Sequence, residues 1–168
     1  CGPNQSVIAD GSCQGAVPDF TAAVVATDNC SPVGNLVITQ NPTAGTLLGT
    51  GDHTITITVT DESGNWDTCQ ATLTVADDTN PVAACQNVTV NLSAPTLAAA
   101  SIDGGSTDNC AITSRLIDGA ANKTFTCADM PSTSVTLTVA DAAGNENTCT
   151  ATVTVVDDLS PTAVCQNI

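Results

Sequence analysis

One block of this sequence occurs twice at a fixed spacing, and that spacing limits the fold more than any other feature. Residues 55–85, ITITVTDESGNWDTCQATLTVADDTNPVAAC, return at 135–165 as VTLTVADAAGNENTCTATVTVVDDLSPTAVC. The offset is 80 residues at Asp61 and Asp141, Gly64 and Gly144, Cys69 and Cys149, Asp77 and Asp157, Pro81 and Pro161, and Cys85 and Cys165. Cys30 and Cys110 keep it inside a shared Thr-Asp-Asn-Cys. A copy this long, with its own strand pattern and cysteines, is one small domain in tandem. The repeat predicts domains at 1–78 and 79–158, with 159–168 starting a third. Both ends then fall inside the first strand of a repeat, as in a window on a longer array.

Strand signals dominate. Ile55, Ile57 and Val59 alternate with Thr54, Thr56, Thr58 and Thr60, and Ala71, Leu73 and Val75 with Thr72 and Thr74. The second copy repeats this with Val135, Leu137 and Val139, then Ala151, Val153 and Val155. Period two in β-branched residues is the mark of a half-buried strand, with Thr on the wet face. Between each pair lies a short turn, Asp61-Glu-Ser-Gly-Asn65 or Asp141-Ala-Ala-Gly-Asn145, so the last two strands of each domain form a hairpin. Earlier strands are expected at 1–8 and 85–92, at 21–26 and 97–102, and at 36–40 and 112–117. Six or seven short strands in about 80 residues fit an all-β fold of tandem immunoglobulin-like sandwiches. The run Asp77-Asp78-Thr79-Asn80-Pro81 between domains is too short for a floppy linker, and Pro81 stiffens it.

Net charge is −15, with Arg115 and Lys123 as the two cations. That excludes nucleic acid, which needs clustered Lys and Arg, and argues against anionic lipid surfaces. No run of about 18 apolar residues is present to insert in a membrane. A lone histidine, His53, and the lack of C-x-x-C leave a zinc site without support, and no catalytic residues are assigned.

Nine cysteines point to an oxidising, extracellular compartment. Phe20, Trp66 and Phe125 are the only aromatics, so each core relies on Val, Ile, Leu and Ala and needs staples. First and last strands run the same way in this topology, which brings Cys1 to Cys69 and Cys85 to Cys149. Cys110 and Cys127 are symmetric about Asp118-Gly119, a strong two-residue turn, and are expected to pair across a hairpin. Cys13–Cys30 follows by elimination, and Cys165 is left for a following repeat.

The acidic residues gather at predicted domain ends. Asp77, Asp78 and Asn80 close the first domain, and the second presents Asp108, Asn109, Asp141 and Asn145 at its near end. Asp28, Asn29, Asp61 and Asn65 would serve the preceding junction, and Asp157 and Asp158 the following one. Calcium takes six to eight oxygen ligands of these types, so a Ca²⁺ ion between domains is expected. The competing reading is that these Asp and Asn residues only form side-chain-capped turns.

The pattern C-x-N (Cys85 to Asn87), T-D-N-C, D-x-x-G-N, T-C-x-A-T-x-T-V and D-D-x-x-P resembles the hyalin repeat, or HYR, module. The resemblance covers essentially the whole chain and is similar to cysteine-rich forms repeated in very large secreted surface proteins of marine Bacteroidetes, implicated in adhesion or gliding. It implies an immunoglobulin-like sandwich in which Cys1, Cys69, Cys85 and Cys149 match the family's usual pair, with Cys13, Cys30, Cys110 and Cys127 as additions. The function then expected is a non-catalytic stalk or filament at the cell surface. Its partners would be neighbouring repeats and other copies of the chain. The alternative is an adhesin binding glycans or a surface partner through loops, with Trp66 as its one stacking residue. The Thr-x-Thr rows resemble ice-binding faces but are accounted for as outward strand threonines. Asn4, Asn87, Asn91 and Asn122 head N-x-Ser/Thr triplets.

Overall fold

The computed structural model describes residues 1–164. The chain divides into two compact units, Cys1–Asp78 and Thr79–Ile168. Cys165, and with it the expected bond to a further repeat, lies outside the described residues.

In unit 1 a four-stranded sheet is ordered β1-β6-β5-β3. Its strands are β1 (Gln5–Ile8), β3 (Val37–Asn41), β5 (Gly51–Thr60) and β6 (Trp66–Ala76). A second sheet pairs β2 (Gln14–Ala16) with β4 (Leu47–Gly49). Unit 2 repeats the plan as β7-β12-β11-β9, from β7 (Val88–Asn91), β9 (Ile112–Ile117), β11 (Ser132–Asp141) and β12 (Glu146–Val156). Its small sheet pairs β8 (Thr96–Ala98) with β10 (Asn122–Thr124). Each unit is an immunoglobulin-like β-sandwich.

The Thr/aliphatic alternation sets the faces. Ile55, Ile57, Leu73 and Val75 are fully buried in unit 1, and Val135, Leu137, Val139 and Val153 in unit 2. The threonines between them lie on the outer face of the large sheet. Each core holds one phenylalanine, drawn from different places: Phe20 follows β2, whereas Phe125 follows β10. Two non-equivalent positions thus supply the same bulk, as a core that specifies volume rather than identity allows.

β1 runs parallel to β6, with Gln5 opposite Leu73 and Ile8 opposite Ala76, and β7 runs parallel to β12. The shared asparagine of the opening segment fixes this pairing. Asn4 Oδ1 accepts from Thr72 N at 2.9 Å, and Asn87 Oδ1 from Thr152 N at 2.8 Å. Cys1–Cys69 and Cys85–Cys149 close as disulfides with Cα separations of 5.6 and 5.8 Å. Each ties the segment entering the parallel strand to the strand it joins.

Three expectations are corrected. Residues 21–26 do not form a strand: Thr21–Ala23 is a 3-10 turn, with Asp19 Oδ1 accepting from both Thr21 N and Thr21 Oγ1. In unit 2 only Thr96–Ala98 is strand, and Ala99–Ile102 is again a 3-10 turn.

The Cys110–Cys127 bond is absent, because Cys127 is free and exposed. Asp118-Gly119 does form the two-residue turn, with both residues at positive φ and Ile117 bridged to Ala120. The strands then separate: β9 joins β11 in the large sheet and β10 joins β8 in the small one. The cysteines flanking a long hairpin would face each other, but these flank a crossover between sheets.

The Cys13–Cys30 bond is absent as well, because Cys30 is free and exposed. Cys13 lies in the β1–β2 turn, next to the end of β6, since Ala9 N donates to Ala76 O. Cys30 lies at the opposite end, where neighbouring Ser31 accepts from Glu62 N.

Candidate metal centre

The Asp-x-x-Gly-Asn turn closes on its own aspartate in both units. In unit 2, Asp141 Oδ1 accepts from Gly144 N at 2.7 Å and Asn145 N at 2.9 Å, while Oδ2 accepts from Asn145 Nδ2 at 2.8 Å. In unit 1, Asp61 Oδ1 accepts from Ser63 N and Asn65 N, and Oδ2 from Asn65 Nδ2. Gly64 and Gly144 sit at φ +86° and +93°, where a side chain would be strained. The glycine lets the turn fold back onto its own aspartate.

The Thr-Asp-Asn-Cys loop is also duplicated. Asp108 Oδ2 accepts from Cys110 N at 2.8 Å and Ala111 N at 3.0 Å. Asp28 Oδ2 accepts from Cys30 N and Ser31 N, both at 2.7 Å. One oxygen closes the turn and the other is left over. In unit 2 that oxygen, Asp108 Oδ1, is buried with no hydrogen-bond donor.

The two loops meet. Carboxylate oxygens of Asp108 and Asp141 lie within 4.8 Å of each other, because β9 delivers Ile112 opposite Asp141 at the end of β11. Asp141 is 5% exposed. Burial works to raise its pKa, but the hydrogen bonds from Asn145 and Gly144 outweigh that and hold it below the ordinary carboxylate value. In unit 1 the bonds from Ser31 and Cys30 hold Asp28 low against the opposing charge of Asp61, and Asn65 does the same for Asp61. Each unit thus brings two carboxylates together at one end. Neither cation relieves them: Arg115 is paired with Asp103 and Lys123 with Asp118.

The other expected ligands divide. Asn80 enters unit 2 beside this site, since Val82 is bridged to Thr107 and Pro81 O accepts from Asn147 Nδ2 at 2.9 Å. Asp77 is half-buried, and Asp78 and Asn29 are exposed. Asn109 is half-buried next to Asp108, and its Nδ2 lies 3.5 Å from Cys110 Sγ. Asp158 is already used: it accepts from Ser93 N and Ser93 Oγ in the β7–β8 loop. Asp157 Oδ1 accepts from Leu159 N.

The Asp28 end of unit 1 also holds a feature missed from sequence. A cavity of about 440 Å³ is lined by Asp28, Asp61, Asn65, Trp66, Asp67 and Val25, among others. Trp66 is 69% exposed there. Nothing in the sequence around Trp66 separates it from a strand residue facing the core; the second repeat carries Glu146 in its place.

A duplicated β-sandwich with a disulfide at each opening segment and acidic turns at one end belongs to the class of tandem immunoglobulin-like repeats. Residues 8–75 match the model of the HYR domain. No curated protein matches the sequence. Among solved structures, the first two domains of human mucin-like protocadherin align over 93% of this chain and 96% of that one, at 10% identity and a TM-score of 0.42. Mouse clustered protocadherin PcdhgC3 EC1-3 aligns at 12% identity and a TM-score of 0.35, over 72% of this chain, which spans 54% of that structure. Fibronectin(III)-like modules of Clostridium thermocellum CbhA align at 11% identity and a TM-score of 0.35, over 98% of this chain and 96% of that one. Likenesses at such scores carry no inference about function.

Proposed function

We propose that this chain is a non-catalytic stretch of an extracellular stalk or filament of a large cell-surface protein. Disulfides staple each repeat, and Ca²⁺ stiffens the joints between repeats. One observation carries the metal: Asp108 Oδ1 is buried without a donor, facing the buried carboxylate of Asp141. A buried carboxylate oxygen left without a donor costs about 1–3 kcal/mol, and a divalent cation removes that cost. Hard oxygen donors suit calcium. Asp108 and Asp141 are its core ligands, and Asp77, Asp78 and Asn80 are the further oxygen donors this reading assigns to it. Asp28 and Asp61 form the equivalent pair in unit 1.

Calorimetric titration of the chelator-stripped chain with CaCl₂ tests this. Saturable binding is expected, with a rise in Tm that follows the calcium concentration, and Asp108→Asn removes the site in unit 2. Identical melting in calcium and in chelator sinks the reading.

The exposure of Trp66 beside its cavity favours a second reading, an adhesin that stacks a sugar ring on the indole. Binding of the isolated chain to a glycan array, lost in Trp66→Ala, would support it.

A further inference from the structure

In unit 2 the segment ahead of Cys85 lies in a seat of its own. Val82 N donates to Thr107 O at 2.8 Å, and Thr107 N donates to Val82 O at 3.0 Å. Gly104 N donates to Ala84 O at 2.8 Å, and Ala84 N donates to Ser106 Oγ at 2.9 Å. Asn147 Nδ2 donates to Pro81 O at 2.9 Å, and Pro81 is buried. Residues 81–84 are thus laid as a short added strand against residues 103–107.

The same seat recurs in unit 1. The repeat relates Cys85, Thr107, Asn147 and Cys149 to Cys1, Thr27, Asp67 and Cys69. All four of those unit 1 residues line the cavity of about 440 Å³. Among the described residues, the backbone of residues 25–27 on its wall takes part in no hydrogen bond. Unpaired strand-like backbone is a template for another strand. Val25 and Trp66 add exposed apolar surface to it.

The chain also carries a segment that matches the seat. Residues 157–165, DDLSPTAVC, repeat residues 77–85, DDTNPVAAC. Pro161, Thr162, Ala163 and Val164 stand where Pro81, Val82, Ala83 and Ala84 stand. Residues 160–164 join no strand, and among the described residues their backbone takes part in no hydrogen bond. Leu159 and Val164 are exposed.

We propose that residues 159–164 of one copy dock as an added strand in the Trp66 cavity of unit 1 of a second copy. Thr162 pairs with Thr27 as Val82 pairs with Thr107, and Pro161 lies against Asp67 as Pro81 lies against Asn147. Backbone hydrogen bonds supply affinity and the apolar walls supply register. A second copy is the occupant because its segment repeats the one already seated in unit 2. That segment is also uncharged from Leu159 to Val164, so it adds no charge to a cavity lined by Asp28, Asp61 and Asp67. Seat and segment are different surfaces of one chain, so the contact is head-to-tail, and copies joined this way form an open filament or a ring. One bond is missing from the seat in unit 1. Asp67 Oδ1 accepts from Thr68 N and Asn147 Oδ1 from Thr148 N, both at 2.8 Å, so the two side chains are held alike. A carboxylate cannot then donate to the proline carbonyl as Asn147 does. The inference goes beyond the calcium reading and does not rest on it, and it gives the cavity a peptide in place of a sugar.

Trp66 is the single tryptophan of the chain, so its fluorescence reports on the cavity. The test is to titrate the acetylated and amidated peptide Leu-Ser-Pro-Thr-Ala-Val into the chain. The peptide omits Asp157 and Asp158, which keeps calcium and charge out of the result. A saturable blue shift of the emission is expected, and none with a scrambled peptide. Asp67→Asn should tighten binding about three- to tenfold, the worth of one restored hydrogen bond. In sedimentation, the mass of the whole chain should rise with concentration, whereas a chain ending at Asp158 stays monomeric. No shift up to about 1 mM peptide, an equal shift with the scrambled peptide, an unchanged or weaker affinity in Asp67→Asn, or equal masses for the two chains overturns the proposal.

Discussion

At the scale of single residues, Asp141 does two jobs with one carboxylate. Its oxygens accept from Gly144 N, Asn145 N and Asn145 Nδ2, which closes the β11–β12 turn, and its charge faces Asp108. Asp141→Ala leaves those partly buried donors without an acceptor and should cost about 1–3 kcal/mol in a urea melt. The pH dependence follows from the sign of its shift. The folded-state pKa is lowered, so its stabilisation is complete above the unfolded carboxylate value, about 3.9. It is lost as pH falls through the folded value. Melting temperature measured down an acid series should fall less steeply in the Asp141→Ala chain than in the parent. An equal fall would mean that other carboxylates dominate. The aspartates were legible in the sequence because the repeat printed them twice. The Asp103–Arg115 pair was not, because 12 residues and a 3-10 turn separate its members and no spacing rule joins them.

At the scale of elements, periodicity placed β5, β6, β11 and β12, whose Thr/aliphatic alternation is unbroken. It misplaced 21–26, where local hydrogen bonds from Asp19 turn the chain before a strand can propagate. The short strands differ most between repeats. Gly15, at the centre of β2, is buried against Val7 and Val75; a Cβ there would lie 2.6 Å from Val7 Cγ2 and 2.9 Å from Val75 Cγ1. The middle of β8 carries Leu97 instead, packed on the core of unit 2. Gly15→Ala should therefore overpack unit 1 and cost about 1–3 kcal/mol, read as a lower urea midpoint with unchanged slope. A neutral result would show that β2 can shift away from the large sheet.

At the scale of the whole molecule, the small aromatic content makes the cystines decisive. Cys85–Cys149 closes 64 residues of sequence separation, and by the chain-entropy model such a bond contributes about 4 kcal/mol. The double variant Cys85→Ala/Cys149→Ala should lose that much in unit 2, measured by denaturant unfolding. A loss under about 1 kcal/mol would mean that the apolar core alone suffices. The sequence by itself determined the repeat, the all-β class, the parallel closing strand and the chemistry of the acidic turns. All of these rest on short-range periodicity or on residues the duplication repeats. Only the tertiary structure decided which sheet each short strand joins, and with it which cysteines can meet. The Asp118-Gly119 turn is the same in either case; whether its two arms stay paired or part between two sheets depends on contacts with strands distant along the chain, and those are settled by packing.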